Sequence, residues 1–520
     1  MERCSGVLLP IFSLPSPYGI GTLGKAAYNW VDFLHEAGQR LWQVLPIGPT
    51  SFGDSPYQSF SGFAGNPYFI DLDLICEDGL LQKEDCVPLA DLKDGAAIDY
   101  AKQFQYRYII LKKAFSHFNN PSEIERFRKA HSWVDDYALF MALKDAQCGV
   151  SWTQWPQAIR KRECRAIEKA RQELHSEIDF YVFLQLLFFT QWKKLAAYAK
   201  ARDIQIIGDI PIYVALDSAD AWTNPELFLL DEDDRPILVA GCPPDAFTAD
   251  GQLWGNPLYR WDLMQETGFQ WWKERLSGSF ELYDCLRIDH FRGFESYYAI
   301  PYGDKNARNG KWQKGPGKAF VDSIREAFPD VPIIAEDLGY LTAEVRELLE
   351  YSGFPGMKVL QFAFDAREKS DYIPFKYPKN CVAYTGTHDN DTTLGWLHSA
   401  PAESVQYAKS YLMCESGSNK ACVDFFISTV LSCAANYAII PMQDWLQLGA
   451  KARINTPSTL SGNWTWRLRA GSCTKTLAAK MKRKTELYER NSVIDEIIYE
   501  DADQDLNKDE IKFAATQLKT

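Results

Sequence analysis

Eight short apolar segments that resemble buried β-strands constrain the fold of this chain more than any other feature of its sequence. Helical patterns separate most of them. Residues 23–38, for example, carry apolar side chains at helical spacing and end at a glycine. Strands that alternate with helices are typical of parallel sheets, so eight of them predict an α/β protein built as a (β/α)₈ TIM barrel. The predicted strands begin near residues 7, 41, 204, 283, 331, 357, 381 and 437.

Two loop-rich stretches interrupt this alternation and predict large inserted subdomains after strands 2 and 3. The first insertion spans about residues 47–203 and begins with a segment so rich in Gly, Ser and Pro that no helix fits there. The strand-like residues 68–74 belong to it. The second insertion spans about residues 212–261. We therefore expect one domain over residues 1–490, followed by a charged C-terminal extension over residues 491–520.

Composition excludes several classes of partner. The net charge is −13 and no long basic run is present, which argues against nucleic acid. The most apolar stretch, residues 180–189, is too short to span a bilayer and is expected to lie in a buried helix opened by Ser176. We therefore expect no membrane association, no secretory or transit segment and no obligate protein partner.

The twelve cysteines are scattered without a CxxC pair or a regular spacing. Neither a zinc site nor a disulfide framework follows from such a pattern. Reduced thiols in a cytoplasmic protein are the simplest expectation.

The fourth predicted strand delivers charged side chains at its C-terminal end, which is where barrel enzymes carry their chemistry. Arg287 and Asp289 are two residues apart, so both side chains leave the same face of a strand. A carboxylate beside a guanidinium is expected to stay ionised at neutral pH, as a nucleophile requires. An isolated Arg-x-Asp pair would more often be a structural ion pair, so the interpretation depends on the neighbouring strands.

Three further acidic residues follow other predicted strands, and all four would converge on the barrel mouth. Asp209, Glu336 and Asp389 join Asp289 there. Two carboxylates that flank a bond suit glycoside chemistry, in which one attacks and the other protonates the leaving oxygen. Most of the aromatic residues, 14% of the chain, are expected in the core. Those in the loops could stack on sugar rings: Phe52, Tyr57, Trp254, Tyr259 and Trp261.

A metal site is the alternative use of these acids together with His388, because oxygen-rich clusters bind magnesium or calcium. No glycine motif that cradles phosphate accompanies them. A bound cation would also neutralise the carboxylates that glycoside chemistry needs. We therefore expect neither a metal nor a cofactor.

Several motifs resemble those of the 4-α-glucanotransferases, glycoside hydrolase family 77 of the α-amylase clan. The resemblance runs from about residue 6 to residue 469. The motifs that carry it are SPYQ at 55–58, NPY at 66–68, GDIPIYV at 208–214, WGNP at 254–257, RIDHFRG at 287–293, AEDLG at 335–339, THDND at 387–391 and NWTWR at 463–467.

The resemblance implies Asp289 as the nucleophile and Glu336 as the acid/base. It implies Asp389 as a third catalytic carboxylate, which grips the reacting sugar. Further substrate-binding residues follow from the matched motifs. They are Tyr57, expected to stack on that sugar, the supporting residues Asp209, Arg287 and His388, Gln252 and Trp254 on a loop over the cleft, and Asn256.

The family resemblance implies a retaining transferase that moves α-1,4-glucan segments between maltooligosaccharides through a covalent glycosyl-enzyme intermediate. A hydrolase of the same clan is the closest alternative, because it shares the covalent step. A non-catalytic glucan-binding protein would be expected to lack at least one of the three catalytic acids, and all three are present. Many relatives have Tyr where this chain has Phe52, which puts one remote sugar contact in doubt.

Overall fold

The computed structural model describes residues 2–51, 53–90, 97–244, 249–339, 341–367, 369–459 and 461–491. Within these ranges the chain forms twelve strands: β1 (Cys4–Leu8), β2 (Leu41–Gln43), β3 (Gln205–Ile210), β4 (Leu238–Cys242), β5 (Gln252–Pro257), β6 (Cys285–Ile288), β7 (Ser296–Pro301), β8 (Lys311–Lys314), β9 (Ile333–Ala335), β10 (Gly356–Val359), β11 (Cys381–Tyr384) and β12 (Tyr437–Pro441).

Eight of these strands form a parallel sheet in the order β10-β11-β12-β1-β2-β3-β6-β9. The two outer strands lie next to each other, because the amide of Ala335 donates to the carbonyl oxygen of Pro355 at 3.0 Å. The sheet therefore curls into a nearly closed barrel, and the predicted (β/α)₈ fold is confirmed. All eight predicted strands are present.

Helices surround this sheet. The described chain contains twelve of ten or more residues: α1 (Lys25–Glu36), α2 (Tyr108–His117), α3 (Pro121–Ala130), α4 (Val134–Ala146), α5 (Cys164–Glu173), α6 (His175–Lys200), α7 (Gln270–Phe280), α8 (Lys318–Ala327), α9 (Ala343–Ser352), α10 (Ala402–Tyr411), α11 (Asn419–Ser432) and α12 (Lys475–Leu487). Local signals set some of their ends. The side chain of Thr342 caps the amide of Val345 at the start of α9, and Gly353 ends it with φ +70°.

The chain between β2 and β3 holds the five helices α2 to α6. The longest, α6, contains the apolar residues 180–189, but its first residue is His175 and no side chain caps it, so the predicted start at Ser176 is wrong. Residues 68–74 do not form a strand. They lie across a 3₁₀ turn (Pro67–Phe69) and a helix (Leu72–Glu77) that the Asp71 side chain caps. That local cap outweighs the β-propensity of the aromatic and branched residues.

A second, antiparallel sheet has the order β5-β4-β7-β8. Its first two strands come from the loop-rich stretch after β3. The other two come from the chain between β6 and β9, where the sequence analysis predicted no insertion. Tyr298 of β7 pairs with Gly241 of β4 and with Trp312 of β8. This sheet extends from the barrel rim and carries Gln252 and Trp254.

Two further expectations differ from the structure. The strand predicted over residues 357–364 ends at Val359, because residues 360–364 form a 3₁₀ helix. Cys414 and Cys422 form a disulfide with a Cα–Cα distance of 5.6 Å, so the expectation of wholly reduced thiols is wrong for this pair. No helix among the described residues has the length and hydropathy required to cross a membrane.

Candidate active site

The four acidic residues lie at the same rim of the barrel, because the eight strands are parallel. Asp209 is near the end of β3, Asp289 follows β6, and Glu336 follows β9. The loop after β11 carries Asp389. Whether these strand ends form an active site depends on which of the four side chains contact one another.

Arg287 connects two of the acids. It lies opposite Asp209 in the register between β3 and β6. One terminal nitrogen lies 2.7 Å from both carboxylate oxygens of Asp209, and the other donates to Oδ1 of Asp289 at 2.9 Å. The side chains of Arg287 and Asp209 are 4% and 0% exposed, whereas that of Asp289 is 29% exposed. The guanidinium thus lies behind Asp289 and leaves that carboxylate open to the cleft.

Tyr57 brings the first loop-rich stretch onto the barrel mouth. Its hydroxyl donates to Oδ2 of Asp209 at 2.8 Å and lies 3.0 Å from Nε2 of His388. The Tyr57 and His388 rings stack with centroids 5.3 Å apart. Burial raises the pKa of Tyr57 well above its usual value, and nearby Asp209 raises it further, so the phenol stays neutral.

Asp389 is held by three neighbours. Its Oδ2 lies 3.2 Å from Nε2 of His388, and its Oδ1 accepts a hydrogen bond from the side-chain amide of Asn455 at 2.6 Å. Arg453 donates to its backbone carbonyl at 2.6 Å. Burial alone would raise the pKa of Asp389, but His388 and Asn455 outweigh it and lower the pKa to about 2. Burial lowers the pKa of His388, yet Asp389 raises it more, so the pair favours a charged imidazolium beside a carboxylate.

Glu336 accepts two backbone hydrogen bonds, from His290 at 2.7 Å and from Leu338 at 2.8 Å. Burial nevertheless raises the pKa of Glu336 from 4.5 to about 7, and the nearby charge of Asp289 acts in the same direction. A carboxyl with such a pKa can both give and take a proton near neutral pH.

Burial also raises the pKa of Asp289, from 3.8 to about 6, although Arg287 opposes the shift. From the sequence, only the Arg287 guanidinium is apparent, and on its own it would lower the pKa of Asp289. Desolvation is the larger effect. Because the pKa of Asp289 remains below that of Glu336, neutral pH favours an ionised Asp289 beside a protonated Glu336.

The antiparallel sheet places three predicted residues beside this mouth. Trp254 meets the His290 ring edge-on at 4.8 Å, and its indole donates to Oε1 of Gln252 at 3.1 Å. Asn256 is buried, donates to the carbonyl of Val214 and accepts from Gln58 at 3.1 Å. Burial, with Arg292 nearby, lowers the pKa of His290 to about 3, so this ring is neutral. Phe52 lies outside the described residues.

Sequence reasoning missed four groups that contact the acids: the side chains of Arg453 and Asn455 and the amides of His290 and Leu338. The two side chains lie in the loop after β12, outside the motifs recognised in the sequence, so only their proximity to Asp389 reveals them. Backbone amides give no signal in a sequence. Among the described residues, no group of three or more His, Cys, Asp or Glu side chains is arranged to hold a metal ion.

Comparison with known proteins supports one family. Residues 9–474 match the family model described as 4-alpha-glucanotransferase. A 4-alpha-glucanotransferase of Clostridium butyricum is 50% identical over 92% of this chain and 99% of its own. That of Thermus thermophilus is 46% identical over 94% and 99%.

A solved structure has the same architecture. The amylomaltase from Streptococcus agalactiae, in complex with acarbose, superposes with a TM-score of 0.92 at 42% identity. The superposition covers 94% of this chain and all of that one. Because the family model matches most of the chain and these relatives align over nearly their whole length, the chain belongs to the 4-alpha-glucanotransferase family, glycoside hydrolase family 77.

Proposed function

We propose that this protein is a retaining 4-α-glucanotransferase that transfers α-1,4-glucan segments between maltooligosaccharides. The family to which it belongs supports the activity. The observation that carries the assignment of roles is the pair Asp289 and Glu336, which directly follow the adjacent strands β6 and β9 and of which Glu336 has the higher pKa. Environments that separate the pKa values of two carboxyls assign an acid and a nucleophile.

In the first half of the reaction, Asp289 attacks the anomeric carbon and Glu336 protonates the oxygen of the departing glucan. A covalent glycosyl ester forms on Asp289. In the second half, Glu336 takes the proton of the 4-hydroxyl of another glucan, and that oxygen displaces Asp289. Glycosidic bonds are conserved overall, and no cofactor takes part.

Asp389 is proposed to grip the reacting sugar, since its side chain is 44% exposed while its neighbour His388 is 3% exposed. Asp209 is wholly covered, so its proposed role is indirect, through Arg287 and Tyr57. The half-buried ring of Tyr57 would stack on the sugar. Gln252, Trp254 and Asn256 on β5 would line the cleft from the second sheet.

We further propose one catalytic domain over residues 1–490, with insertions at about 47–203 and 212–261. Residues 491–520, the predicted charged extension, lie outside the described residues apart from Asn491. A cytoplasmic location is supported by free cysteines such as Cys86, Cys285 and Cys381. Maltooligosaccharides and α-1,4-glucans are the proposed partners, without a nucleic acid, a membrane or an obligate protein partner.

Product analysis on maltotriose tests transfer against hydrolysis. We expect glucose and a ladder of longer maltooligosaccharides, with a nearly constant number of reducing ends, because transfer conserves glycosidic bonds. Hydrolysis would add one reducing end for each bond cut. Water is present at about 55 M, so the acceptor must prevail through oriented binding, which is worth several orders of magnitude in effective concentration.

The matched control is the Asp289→Asn variant under the same conditions, which should produce neither glucose nor longer oligosaccharides. A steady rise in reducing ends without any product longer than maltotriose would identify a hydrolase instead. Binding of maltotriose without any turnover by the wild-type protein would identify a glucan-binding protein.

A further inference from the structure

We propose that Gln443 and Asp444, in the one-turn helix Met442–Trp445 after β12, are positioning residues for the catalytic carboxylate Asp389. Neither side chain touches Asp389 in the hydrogen bonds of the described chain. Asp444 instead holds the loop that carries Asp389, and Gln443 holds the loop whose residues contact Asp389. The inference rests on the proposed function, because it assumes that Asp389 grips the reacting sugar.

Asp444 joins both ends of the loop that carries His388 and Asp389. Its Oδ2 accepts from the hydroxyls of Thr385 and Thr393, each at 2.6 Å, and its Oδ1 accepts from the amide of Thr393 at 2.7 Å. Thr385 directly follows β11, and Thr393 is the first residue of the helix Thr393–Ser399. A single carboxylate thus fixes where the loop leaves the barrel and where it returns.

Other side chains also anchor this loop between its two ends. Asn390 accepts from the amide and hydroxyl of Thr387 at 2.8 and 2.9 Å, and Gln361 donates to the carbonyl of Asp391 at 2.9 Å. These contacts fix the tip of the loop, but they do not tie its ends to β12. Asp444 supplies that connection.

Gln443 supports the second loop. Its side-chain amide donates to the carbonyl of Ala452 at 3.2 Å, one residue before Arg453. Arg453 donates to the carbonyl of Asp389 and also to that of Asn455, each at 2.6 Å. Asn455 in turn donates to Oδ1 of Asp389. Adjacent residues of one turn therefore support Asp389 from both sides.

The burial of Asp444 argues that these contacts are specific. The side chain lies at the core and is 1% exposed. A carboxylate in such a place is costly unless hydrogen bonds compensate for the lost water, and three donors do so here. A threonine-to-valine change at either donor keeps the shape and removes one of these bonds.

The test compares valine with serine at Thr385 and Thr393. Valine retains volume and loses the hydroxyl, whereas serine retains the hydroxyl and loses a methyl group. If the bond to Asp444 positions Asp389, valine should lower kcat on maltotriose by about 10- to 100-fold, because a misplacement of about 1 Å can cost on the order of 10²-fold. Serine should stay within about 3-fold of wild type, and KM should change little in both variants.

Thr22 provides the matched control. Its hydroxyl donates at 2.6 Å to Asp71, another buried carboxylate, which caps the helix Leu72–Glu77. Thr22→Val and Thr22→Ser should alter thermal stability while leaving kcat within about 2-fold. The two Thr22 variants show the effect of losing a threonine–carboxylate hydrogen bond that stabilises the fold and lies outside the proposed site.

An activity-independent readout follows the His388 ring. Asp389 raises the pKa of His388, so a displaced Asp389 in Thr393→Val or Asp444→Asn should let the imidazole titrate at a lower pH in the NMR spectrum. His388→Gln assigns the signal. Thr22→Val should leave it unchanged.

Equal kcat in the valine and serine variants, with an unchanged His388 titration, would overturn the inference even if the wild-type protein transfers glucan normally. Absence of transfer by the wild type would instead refute the proposed function. The titration would then still report whether Asp444 positions Asp389. If Asp444→Asn does not fold, the threonine variants decide the outcome.

Discussion

The backbone amide of His290 donates a hydrogen bond of 2.7 Å to Oε2 of Glu336. His290 directly follows Asp289, so this bond fixes the position of one proposed catalytic carboxylate relative to the chain that carries the other. The residue has a positive φ of 52°, a conformation that costs free energy for most side chains. This uncommon backbone conformation occurs at the residue whose amide binds the proposed acid/base.

The first prediction concerns the nucleophile. Asp289→Asn should fold normally and lose at least about 10⁴-fold in kcat, because an amide cannot form the glycosyl ester. Transfer assays on maltotriose, with circular dichroism to verify folding, measure this. Near-normal turnover by a folded Asp289→Asn protein would refute the assigned role.

The second prediction concerns the acid/base. Glu336→Gln should lower kcat on maltotriose by roughly 10²–10⁴-fold, the usual contribution of a positioned proton donor. The loss in the glycosylation step should be much smaller with α-glucosyl fluoride, since fluoride leaves without a proton. Burst measurements of fluoride release compare the two substrates. Equal losses would contradict general acid catalysis by Glu336.

The third prediction is a bell-shaped pH profile of kcat/KM. Activity should fall as the pH drops through about 6, where Asp289 becomes protonated, and fall again above about 7, where Glu336 loses its proton. Initial rates on maltotriose from pH 4 to pH 9, roughly two units beyond each limb, define the curve. A single acid limb near the usual pKa of a carboxyl would show that burial does not raise these values.

The fourth prediction links Glu336 to stability. Its pKa is higher in the folded state than in the unfolded state, so the folded protein binds more protons between pH 4.5 and about 7. The free energy of unfolding should therefore fall as the pH rises through that window. Glu336→Gln does not ionise, and its Tm should decline less over the same range. Parallel Tm curves for variant and wild type would exclude this linkage.

The fifth prediction concerns Arg287, which contacts Asp209 and Asp289 through separate nitrogens. Arg287→Lys keeps the charge but cannot reach both carboxylates with a planar fork, so we expect at least about a 10²-fold loss in kcat. With weaker support for the charged form of Asp289, the acid limb should move to higher pH. Arg202→Lys is the control, because Arg202 contacts Asp32 at the surface and should leave activity unchanged.

The family and the strand ends could be recognised from the sequence because both depend on local patterns. Short apolar runs mark the buried parallel strands, and each of the four acids lies near or shortly after the C-terminal end of one of them. The two strands between β6 and β9, which are β7 and β8, were not predicted from the sequence. They pair with β4 and with each other, and β8 is exposed along its whole length, so no apolar run marks it.

The sequence by itself determined the barrel, the set of acidic residues and the motifs that identify the family, because each depends on short segments of consecutive residues. Only the tertiary structure decided how those residues act. Tyr57 meets His388 across 331 positions of the chain, and Asn455 reaches Asp389 across 66. Burial, which no local pattern reports, reverses the pKa shift expected for Asp289 from Arg287 alone. Desolvation and long-range contacts depend on packing, so they exist only once the chain is folded.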